Sequence, residues 1–402
     1  MVFSQGKPHL ATLTKPRIAK LLLRCLTMKV KAAVLRQTGL PAPYALSQPL
    51  VIETVELAPP GPGELCVRVL AAGLCHSDLS GINGSRIRPM PMVLGHEATG
   101  EIVELGADVQ GFRVGDRVVF CFVPNCGRCV PCASGRPSLC EPGAAANVAG
   151  TLLGGERRWR DANGTPLHHF LGVSGFAEYT VVSARSAVRI DHDLAPEVAA
   201  LFGCAVMTGV GAVVNAARVS AGESVAIFGL GGVGLAALLG AHASGANPLI
   251  AIDLAAHKFE LARSLGATHC IDAADPDAIE RLRELSHGGV QFAIESVGDE
   301  RVLAQAYAAT RRGGTTVTVG LPAPERMLTI PAFNMVVEER TIKGSFMGSA
   351  VPSRDIPRFI ALYRAGLLPV DRLLTHRLQL DDINAGFDRL ARAEAIRQVV
   401  RF

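Results

Sequence analysis

The stretch ESVAIFGLGGVGLAALLGAHASGANPLIAIDL, residues 223–254, decides the fold. It consists of an apolar segment, a glycine-rich turn, an Ala- and Leu-rich segment and a second apolar segment. The short apolar runs favour buried strands, and the longer Ala/Leu run favours a helix. The alternation continues in HKFELARSLGATHCID (257–272), GVQFAIESVG (289–298) and GGTTVTVGLP (313–322). We therefore predict βαβ units that form a parallel sheet.

The turn inside this stretch has the spacing of a dinucleotide-binding site. Its glycines form G-x-G-x-x-G between a strand and a helix, and Asp253 ends the next strand nineteen residues after Gly234. Such glycines permit close backbone approach to a pyrophosphate, and the acidic residue binds both ribose hydroxyls, which favours NAD over NADP. The alternative is a tight turn with an ordinary strand-end aspartate. The predicted cofactor contacts of this Rossmann-type unit are Gly229, Gly231, Gly232, Val233, Gly234, Asp253 and Lys258, although an exposed helix residue is nearly as good an interpretation of Lys258.

Four of the ten cysteines lie in CGRCVPCASGRPSLC, which occupies residues 126–140. Their spacing, C-x2-C-x2-C-x7-C, allows successive thiolates to turn toward one ion. Four thiolates complete a tetrahedral zinc site and leave no position for a substrate, so we predict a structural zinc. The alternatives are an iron–sulfur site, for which other spacings are usual, and a chance cluster. The predicted ligands are Cys126, Cys129, Cys132 and Cys140.

A second metal site is suggested by three residues that are far apart in the sequence. GLCHSDLSG contains Cys75, GHEATGEIV contains His96 beside Glu97, and LFGCAVMTGVGA contains Cys204. Taken singly, each could be an ordinary core residue. Together they supply two thiolates and one imidazole, the ligand set that leaves zinc a fourth position for a substrate oxygen.

Composition limits the other classes of function. The 402 residues predict two or more domains, and 49% of them are apolar. Residues 1–27 contain five basic residues and no acidic one, so the rest of the chain has a net charge of about −1. It therefore lacks the excess of basic residues that is typical of nucleic-acid-binding proteins. This first segment is either a transit-type leader or an upstream extension, disordered or processed, ahead of a strand that begins at Met28. Without a membrane-length apolar run or a secretory signal, the clustered cysteines indicate a reducing compartment, and we expect a cytoplasmic protein that binds neither nucleic acid nor membranes.

With these motifs in hand, the chain resembles the zinc-dependent medium-chain alcohol dehydrogenases, in particular the larger dimeric members. The resemblance covers about residues 28–402 and rests on GLCHSD, GHEATG, the four-cysteine lobe, HHFLGVSGFAEYTVV, GCAVMTG and GLGGVG. It implies a GroES-like, mostly β catalytic domain at 28–205 with a zinc lobe at 121–141. It also implies a Rossmann NAD-binding domain at 206–345 and a return to the catalytic domain at 346–402.

The resemblance further implies reversible hydride transfer between an alcohol and NAD, with two zinc ions per chain and a homodimer. The implied catalytic zinc ligands are Cys75, His96 and Cys204. Ser77 would bond the substrate oxygen, Asp78 would orient His96, and Glu97 would lie near the metal. The implied pyrophosphate contacts are His76 and Arg397, and the implied pocket walls are Phe122, Phe170 and Leu171.

Departures from the family pattern restrict the substrate. Many members carry a histidine where this chain has Ser80, so we expect the proton to leave through the ribose hydroxyl to water. Ala144 replaces the basic anchor of the glutathione-dependent formaldehyde branch, and residues 79–88 lack its acidic residue but contain Arg86 and Arg88. A primary or aromatic alcohol is therefore favoured. The two arginines could favour an acidic substrate, but solvated arginines are the more common case.

Three other interpretations remain open. One is a thiol-adduct, S-hydroxymethyl formaldehyde dehydrogenase of the same family. Another is a relative without catalytic zinc, which the presence of all three ligands disfavours. From a different class, the cysteine lobe could belong to a non-catalytic zinc-ribbon binding protein, which the near-neutral charge disfavours.

Overall fold

The computed structural model describes residues 27–402. The predicted extension at 1–27 therefore lies, except for Thr27, outside the described residues. The strand expected to begin at Met28 does begin there. Among the described residues, no helix has both the length and the apolar character needed to cross a bilayer.

One half of the molecule is mostly β structure and is built around a ten-residue strand. Its strands are β1 (Met28–Leu35), β2 (Leu50–Leu57), β3 (Glu64–Gly73), β4 (Met92–Val93), β5 (Glu97–Leu105), β6 (Arg117–Phe120), β7 (Trp159–Arg160), β8 (Pro166–His169), β9 (Tyr179–Ser183), β10 (Ala187–Ile190), β17 (Leu374–Leu378) and β18 (Arg397–Arg401). One edge of β3 pairs with β5, and the other edge pairs with β9 and then with β18, which comes from the C-terminus of the chain. A small barrel of β1, β2, β7, β8 and β4 packs beside this sheet.

Short helices in this half carry much of the site. They are Tyr44–Ser47, His76–Ile82, Val130–Ala133, Glu141–Ala149, Pro196–Leu201, Ala205–Gly211 and Ile383–Ala391. The single-turn 3₁₀ segments in residues 27–402 are Pro137–Leu139, Ala184–Ser186, Ala256–Lys258, Phe346–Ser349, Val370–Leu373 and Leu380–Asp382.

The other half contains a six-stranded sheet in which every strand pair is parallel, with residues 223–254 at its centre. The strands are β11 (Val225–Phe228), β12 (Leu249–Asp253), β13 (His269–Asp272), β14 (Val290–Glu295), β15 (Thr310–Thr318) and β16 (Thr341–Gly344). Their order is β13-β12-β11-β14-β15-β16, so the chain runs outward from β11 in one direction and then in the other. Ligands bind in such sheets at the carboxyl ends of the strands where the order reverses, which is here beside β11 and β14.

Helices alternate with these strands because each crossover between parallel strands must return to the same edge of the sheet. The helices of this half are Gly232–Ala243, Phe259–Ser264, Ala278–Leu285, Glu300–Ala309 and Ala332–Val337. The helix Pro352–Arg364 follows the last strand and packs against β10 and the helix Ala205–Gly211. A π-helical segment, Ala212–Ala217, follows the helix Ala205–Gly211 that leads into the sheet.

One contact shows why the two halves fit closely. The helices Ala205–Gly211 and Gly232–Ala243 approach each other at Gly209, where an added Cβ would lie 2.2 Å from the carbonyl oxygen of Val233. Only a glycine allows this approach. It brings the segment that follows Cys204 against the helix that follows the glycine turn.

Candidate active site and metal centres

Cys75 is positioned by the start of a helix. It is the N-cap of His76–Ile82, and Asp78 completes a capping box by accepting the backbone N–H of Cys75 at 3.2 Å. In a capping box the N-cap residue has an extended backbone, and its side chain lies at the N-terminal end of the helix. The second carboxylate oxygen of Asp78 accepts the N–H of Gly95 at 3.1 Å, so one buried carboxylate joins two separate segments.

His96 directly follows Gly95, whose φ is +93° and whose missing side chain admits the backbone of Phe176. Its imidazole is fully buried, and Nδ1 lies 3.1 Å from Asp78 Oδ2. A carboxylate at this position favours a proton on Nδ1 and leaves the lone pair of Nε2 available to a metal. The structure therefore brings Asp78 to the position expected for a residue that orients His96.

Cys204 is the N-cap of the helix Ala205–Gly211, and its Sγ lies 3.4 Å from His96 Nε2. Metal-ligand atoms of Cys75, His96, Glu97 and Cys204 all lie within 4.8 Å of one another. Contact with the Cys204 thiol lowers the pKa of Cys75 well below its ordinary value, and the same contact raises the pKa of Cys204. Two thiols and one imidazole facing a common centre fit a zinc ion with an open position.

Glu97 extends this cluster toward the nucleotide half of the molecule. It forms a fully buried ion pair with Arg397 across 300 positions of sequence. Burial raises the pKa of Glu97 to about 7, against the opposing effect of the arginine. The side chain of Arg397 also abuts Gly232, where an added Cβ would lie 2.2 Å from Cδ. Arg397 therefore connects the carboxylate beside the metal cluster to the glycine turn.

The glycine turn combines close backbone contacts with open space in a way that fits a bound dinucleotide. Gly229 has a φ of +91°, and an added Cβ on Gly234 would lie 1.8 Å from the Gly229 carbonyl oxygen. A Cβ on Gly231 would meet no atom of residues 27–402 within 4 Å, so this part of the structure leaves space for a ligand above the turn. The helix that begins at Gly232 has no side-chain cap, and Arg397 Nε is buried without a hydrogen-bond partner among the described residues. Free N–H groups at a helix N-terminus and a nearby guanidinium suit a pyrophosphate.

Asp253 ends its strand as predicted, but its carboxylate is already engaged. It accepts the N–H groups of Leu230 and Ala255, at 2.6 and 2.8 Å, and both oxygens lie 3.3 Å from Lys258 Nζ. The two residues predicted as separate cofactor contacts are therefore an ion pair in the structure. Val233 is half-buried in the first turn of the helix.

The side chains next to Cys75 differ in exposure. His76 is exposed and Ser77 is half-buried. Ser80 Oγ donates to the carbonyl oxygen of His76 at 2.8 Å, so this hydroxyl is used inside its own helix.

Aromatic rings enclose His96 on two sides. The ring of Phe122 meets the imidazole edge-on at 5.4 Å between centroids, and the ring of Phe170 does so at 5.7 Å. Phe170 is only 1% exposed, so its ring is packed within the wall of the site. Leu171, at a φ of +51°, turns the chain, and the hydroxyl of Ser174 fixes this turn by accepting the Phe170 N–H and donating to the Val93 carbonyl.

Two residues near the site were not indicated by the sequence. Phe346 stacks edge-on against Phe122 with centroids 5.9 Å apart. Asn147 donates to the carbonyl oxygen of Phe122 at 2.7 Å and so fixes the backbone of that wall. Neither lies in a motif, and no sequence signal could have indicated them because their partners are distant in the chain.

The four-cysteine lobe forms a second compact cluster, with the Sγ atoms of Cys126, Cys129, Cys132 and Cys140 within 4.8 Å of one another. Backbone N–H groups point at the sulfurs: Cys126 N lies 3.1 Å from Cys140 Sγ, and Cys129 N lies 3.3 Å from Cys126 Sγ. Such donors stabilise thiolates, which are the form that binds zinc. No disulfide forms among the nine cysteines of the described part of the chain.

Comparison with known proteins places the chain in a family. Residues 61–192 match the family model for the alcohol dehydrogenase GroES-like domain, and residues 232–365 match that for zinc-binding dehydrogenases. The structure is similar to an alcohol dehydrogenase zinc-binding domain protein from Burkholderia ambifaria, with a TM-score of 0.88, 34% identity and coverage of 94% of this chain and 100% of that one.

Two further solved structures are similar over nearly the whole chain. Benzyl alcohol dehydrogenase from Acinetobacter calcoaceticus has a TM-score of 0.85 and 31% identity, covering 93% of this chain and 99% of its own. Acetophenone reductase from Geotrichum candidum, solved in complex with NAD, has a TM-score of 0.74 and 25% identity, covering 93% and 97%. The predicted fold class, a GroES-like catalytic part joined to a Rossmann sheet, is confirmed, and so is the predicted class of enzyme. The chain belongs to the zinc-dependent medium-chain alcohol dehydrogenases.

Proposed function

We propose that this protein oxidises a primary or aromatic alcohol, and reduces the corresponding aldehyde, with NAD as coenzyme and two zinc ions per chain. The observation that carries the proposal is the convergence of Cys75, His96 and Cys204, which join through Glu97 and Arg397 to the glycine turn. The same proposal divides the chain into a catalytic domain at 28–205, a nucleotide domain at 206–345 and a return segment at 346–402.

The bound groups supply chemistry that no side chain here can supply. Zinc held by the two thiolates and the imidazole supplies Lewis acidity toward an alcohol or carbonyl oxygen. NAD supplies the hydride acceptor, and the protein contributes its orientation. The four-cysteine lobe takes no part in the reaction, because four thiolates leave zinc no open position.

The chain's own residues hold and orient the reactants. Asp78 fixes the tautomer and direction of His96 and holds the backbone of Cys75. Arg397 offers positive charge to the pyrophosphate, and the glycine turn offers backbone N–H groups. Burial lowers the pKa of His76, so His76 offers an imidazole N–H donor. In this assignment Ser77, half-buried on the helix that Cys75 caps, accepts the proton of the alcohol and passes it outward.

The proton relay is proposed to be shorter than in relatives that carry a histidine at position 80. The hydroxyl of Ser80 donates to a carbonyl of its own helix and is no base near neutral pH. We therefore expect the ribose hydroxyl to hand the proton directly to water. In Ser80→His, the pH profile of alcohol oxidation should gain an ionisation near the ordinary histidine pKa. A profile identical to that of the wild type would contradict this relay.

The enclosure of the imidazole by Phe122, with Phe346 beyond it, supports an aromatic or similarly apolar carbon body in the substrate. Flat rings pack edge-on against aromatic walls, and their burial is favourable. Aliphatic diols and hydroxy acids are the natural comparison in a substrate screen.

The proposal is tested by zinc analysis together with the formation of NADH, measured by absorbance, over benzylic, aliphatic, diol and hydroxy-acid substrates. Cys204→Ala should retain one zinc ion and lose turnover, whereas Cys121→Ala, a buried cysteine outside both clusters, should keep both ions and turnover. Wild-type protein that binds two zinc ions and NAD but oxidises no alcohol and reduces no aldehyde would refute the function.

A homodimer formed through the nucleotide half is part of the proposal. Strand β16 ends the parallel sheet, so its outer edge has no partner strand among the described residues. The adjacent helix exposes Phe333 at 75% and Val336 at 76%. Exposed apolar side chains next to an open sheet edge are typical of a surface that a second copy covers.

A further inference from the structure

The loop that joins two of the proposed zinc ligands carries two arginines. The chain leaves the helix His76–Ile82, passes through residues 83–91 and returns to His96 through the short strand β4. Arg86 and Arg88 lie in this loop, and Ile87 between them is 91% exposed. Both ends of this loop are therefore attached to segments that carry ligands of the catalytic cluster.

Arg88 is half-buried and contacts the aromatic wall of the site. Its Cζ lies over the ring of Phe170 at 5.8 Å from the centroid, and that ring contacts the imidazole of His96 at 5.7 Å. Gly81, on the helix capped by Cys75, completes the contact, since an added Cβ there would lie 4.0 Å from Phe170. The guanidinium and the catalytic imidazole therefore contact the same aromatic ring.

The positive charge of Arg88 is not neutralised within the described residues. It forms no ion pair there, and its hydrogen bond to the carbonyl oxygen of Asn147 is long, at 3.4 Å. A guanidinium has five N–H donors, so most of them remain available. Burial lowers the pKa of Arg88, and the nearby charge of Arg86 lowers it further, so this cation is held in an unfavourable setting.

An arginine on the exposed surface would avoid this setting, because its head could remain in water. A half-buried cation beside a second cation becomes favourable when an anion binds both. The planar fork of arginine matches a carboxylate, and the ring of Phe170 lies on one side of this guanidinium.

We propose that Arg88, assisted by Arg86, binds a carboxylate on the far side of the substrate, so that the enzyme acts on alcohols and aldehydes that carry an acid group. The substrate class is an aromatic or similarly sized apolar body with the alcohol at one end and the carboxylate at the other. This inference rests on the proposed dehydrogenase function and specifies its substrate. The sequence alone favours solvated arginines, whereas the contact between Arg88 and Phe170 favours a role in binding an acid group.

The test compares substrates that differ only in the acid group. Benzyl alcohol, 3-(hydroxymethyl)benzoate and 4-(hydroxymethyl)benzoate are oxidised by the zinc-containing holoenzyme with NAD. We expect kcat/KM for the better acid to exceed that for benzyl alcohol by about tenfold or more, mainly through KM, because a charge-assisted hydrogen bond away from the reacting carbon binds ground state and transition state alike. High salt should reduce this ratio.

Three variants make the test specific. Arg88→Met should reduce the ratio at least tenfold, and Arg88→Lys should retain part of it, since lysine keeps the charge but not the fork. Arg113→Gln, which removes an exposed arginine from a distant loop, should leave the ratio unchanged. If Arg88→Met does not fold, Arg86→Met and the wild-type ratio still decide the question.

A binding measurement provides a readout without turnover. Calorimetric titration with 4-methylbenzoate, which lacks the reacting alcohol, should give about tenfold weaker binding to Arg88→Met than to the wild type. Wild type that oxidises benzyl alcohol without preferring either acid would overturn the inference and leave the dehydrogenase function intact. A preference that survives in Arg88→Met would overturn the inference in the same way. Protein that turns over none of the three alcohols nor their aldehydes would refute the dehydrogenase function itself.

Discussion

Replacing Asp78 with asparagine separates the role of this residue in the metal site from its role in the fold. The carboxylate is fully buried and serves three partners: the N–H of Cys75 at 3.2 Å, the N–H of Gly95 at 3.1 Å and Nδ1 of His96 at 3.1 Å. Asparagine has nearly the same shape but only one acceptor oxygen. Its amide NH₂ would therefore face a donor in at least one of these three positions.

The expected loss of zinc affinity follows from the role of Asp78 in orienting His96. A residue that orients a metal-binding histidine typically contributes about 10- to 100-fold to metal affinity or activity. We expect Asp78→Asn to weaken zinc binding at the catalytic cluster by that factor, about 1.4 to 3 kcal/mol, with a similar fall in kcat/KM. The four-cysteine lobe should be unaffected because none of its ligands contacts Asp78.

The assay measures zinc per chain after dialysis against a graded series of chelator concentrations, alongside kcat/KM for an alcohol. Asp161→Asn is the matched control. Asp161 is also buried and accepts two backbone N–H groups, from Asn163 and Thr165, both at 2.9 Å, with Arg36 at 3.2 Å, but it lies in a turn of the small barrel.

The control Asp161→Asn should lose about as much stability as Asp78→Asn and should keep its zinc. The reasoning is refuted if Asp78→Asn retains zinc and activity like the wild type. It is equally refuted if Asp161→Asn loses zinc to the same extent, because the effect would then be a general cost of removing a buried carboxylate.

Three other predictions concern stability and assembly. Burial lowers the pKa of His169 to about 3, so below about pH 6.5 the unfolded chain binds a proton that the folded chain does not bind. Unfolding by urea should therefore show about 2 kcal/mol of stability lost between pH 7.5 and pH 5, and His169→Gln should reduce this dependence of stability on pH. Cys129→Ser should release one zinc ion and speed proteolysis within residues 121–141, whereas Cys270→Ser, outside both clusters, should do neither. Phe333→Asp should shift the protein from dimer to monomer in light scattering, and a wild-type monomer would remove the basis for the proposed interface.

Much of the fold could be predicted because its signals are local. The glycine turn, the strands on either side and Asp253 lie within one stretch of sequence, and backbone geometry alone requires glycine at Gly229 and Gly234. The spacing within the cysteine lobe is local in the same way. The pairing of β18 with β3 depends on contacts that no short window contains, although the resemblance implied that the C-terminal segment returns to the first half.

The contacts that individual side chains make could not be predicted from the sequence. The sequence indicated Asp253 and Lys258 as two cofactor contacts, and the structure pairs them with each other. It left Arg88 as a surface residue, and the structure stacks it on Phe170. Rotamers and partners of long charged side chains depend on neighbours brought in from elsewhere in the chain, and sequence spacing does not encode those neighbours.

By itself, the sequence determined the βαβ pattern, the glycine turn and the presence of two sets of metal-ligand residues, because periodicity and spacing act over a few residues. Only the tertiary structure decided that Cys75, His96 and Cys204 meet and that Glu97 reaches Arg397 across 300 positions. It also decided that Arg88, which has no ion-pair partner among the described residues, contacts the ring next to the imidazole. The physical reason is that such contacts form only when distant segments are packed into one core. The sequence supplied their chemistry, and packing supplied their distances.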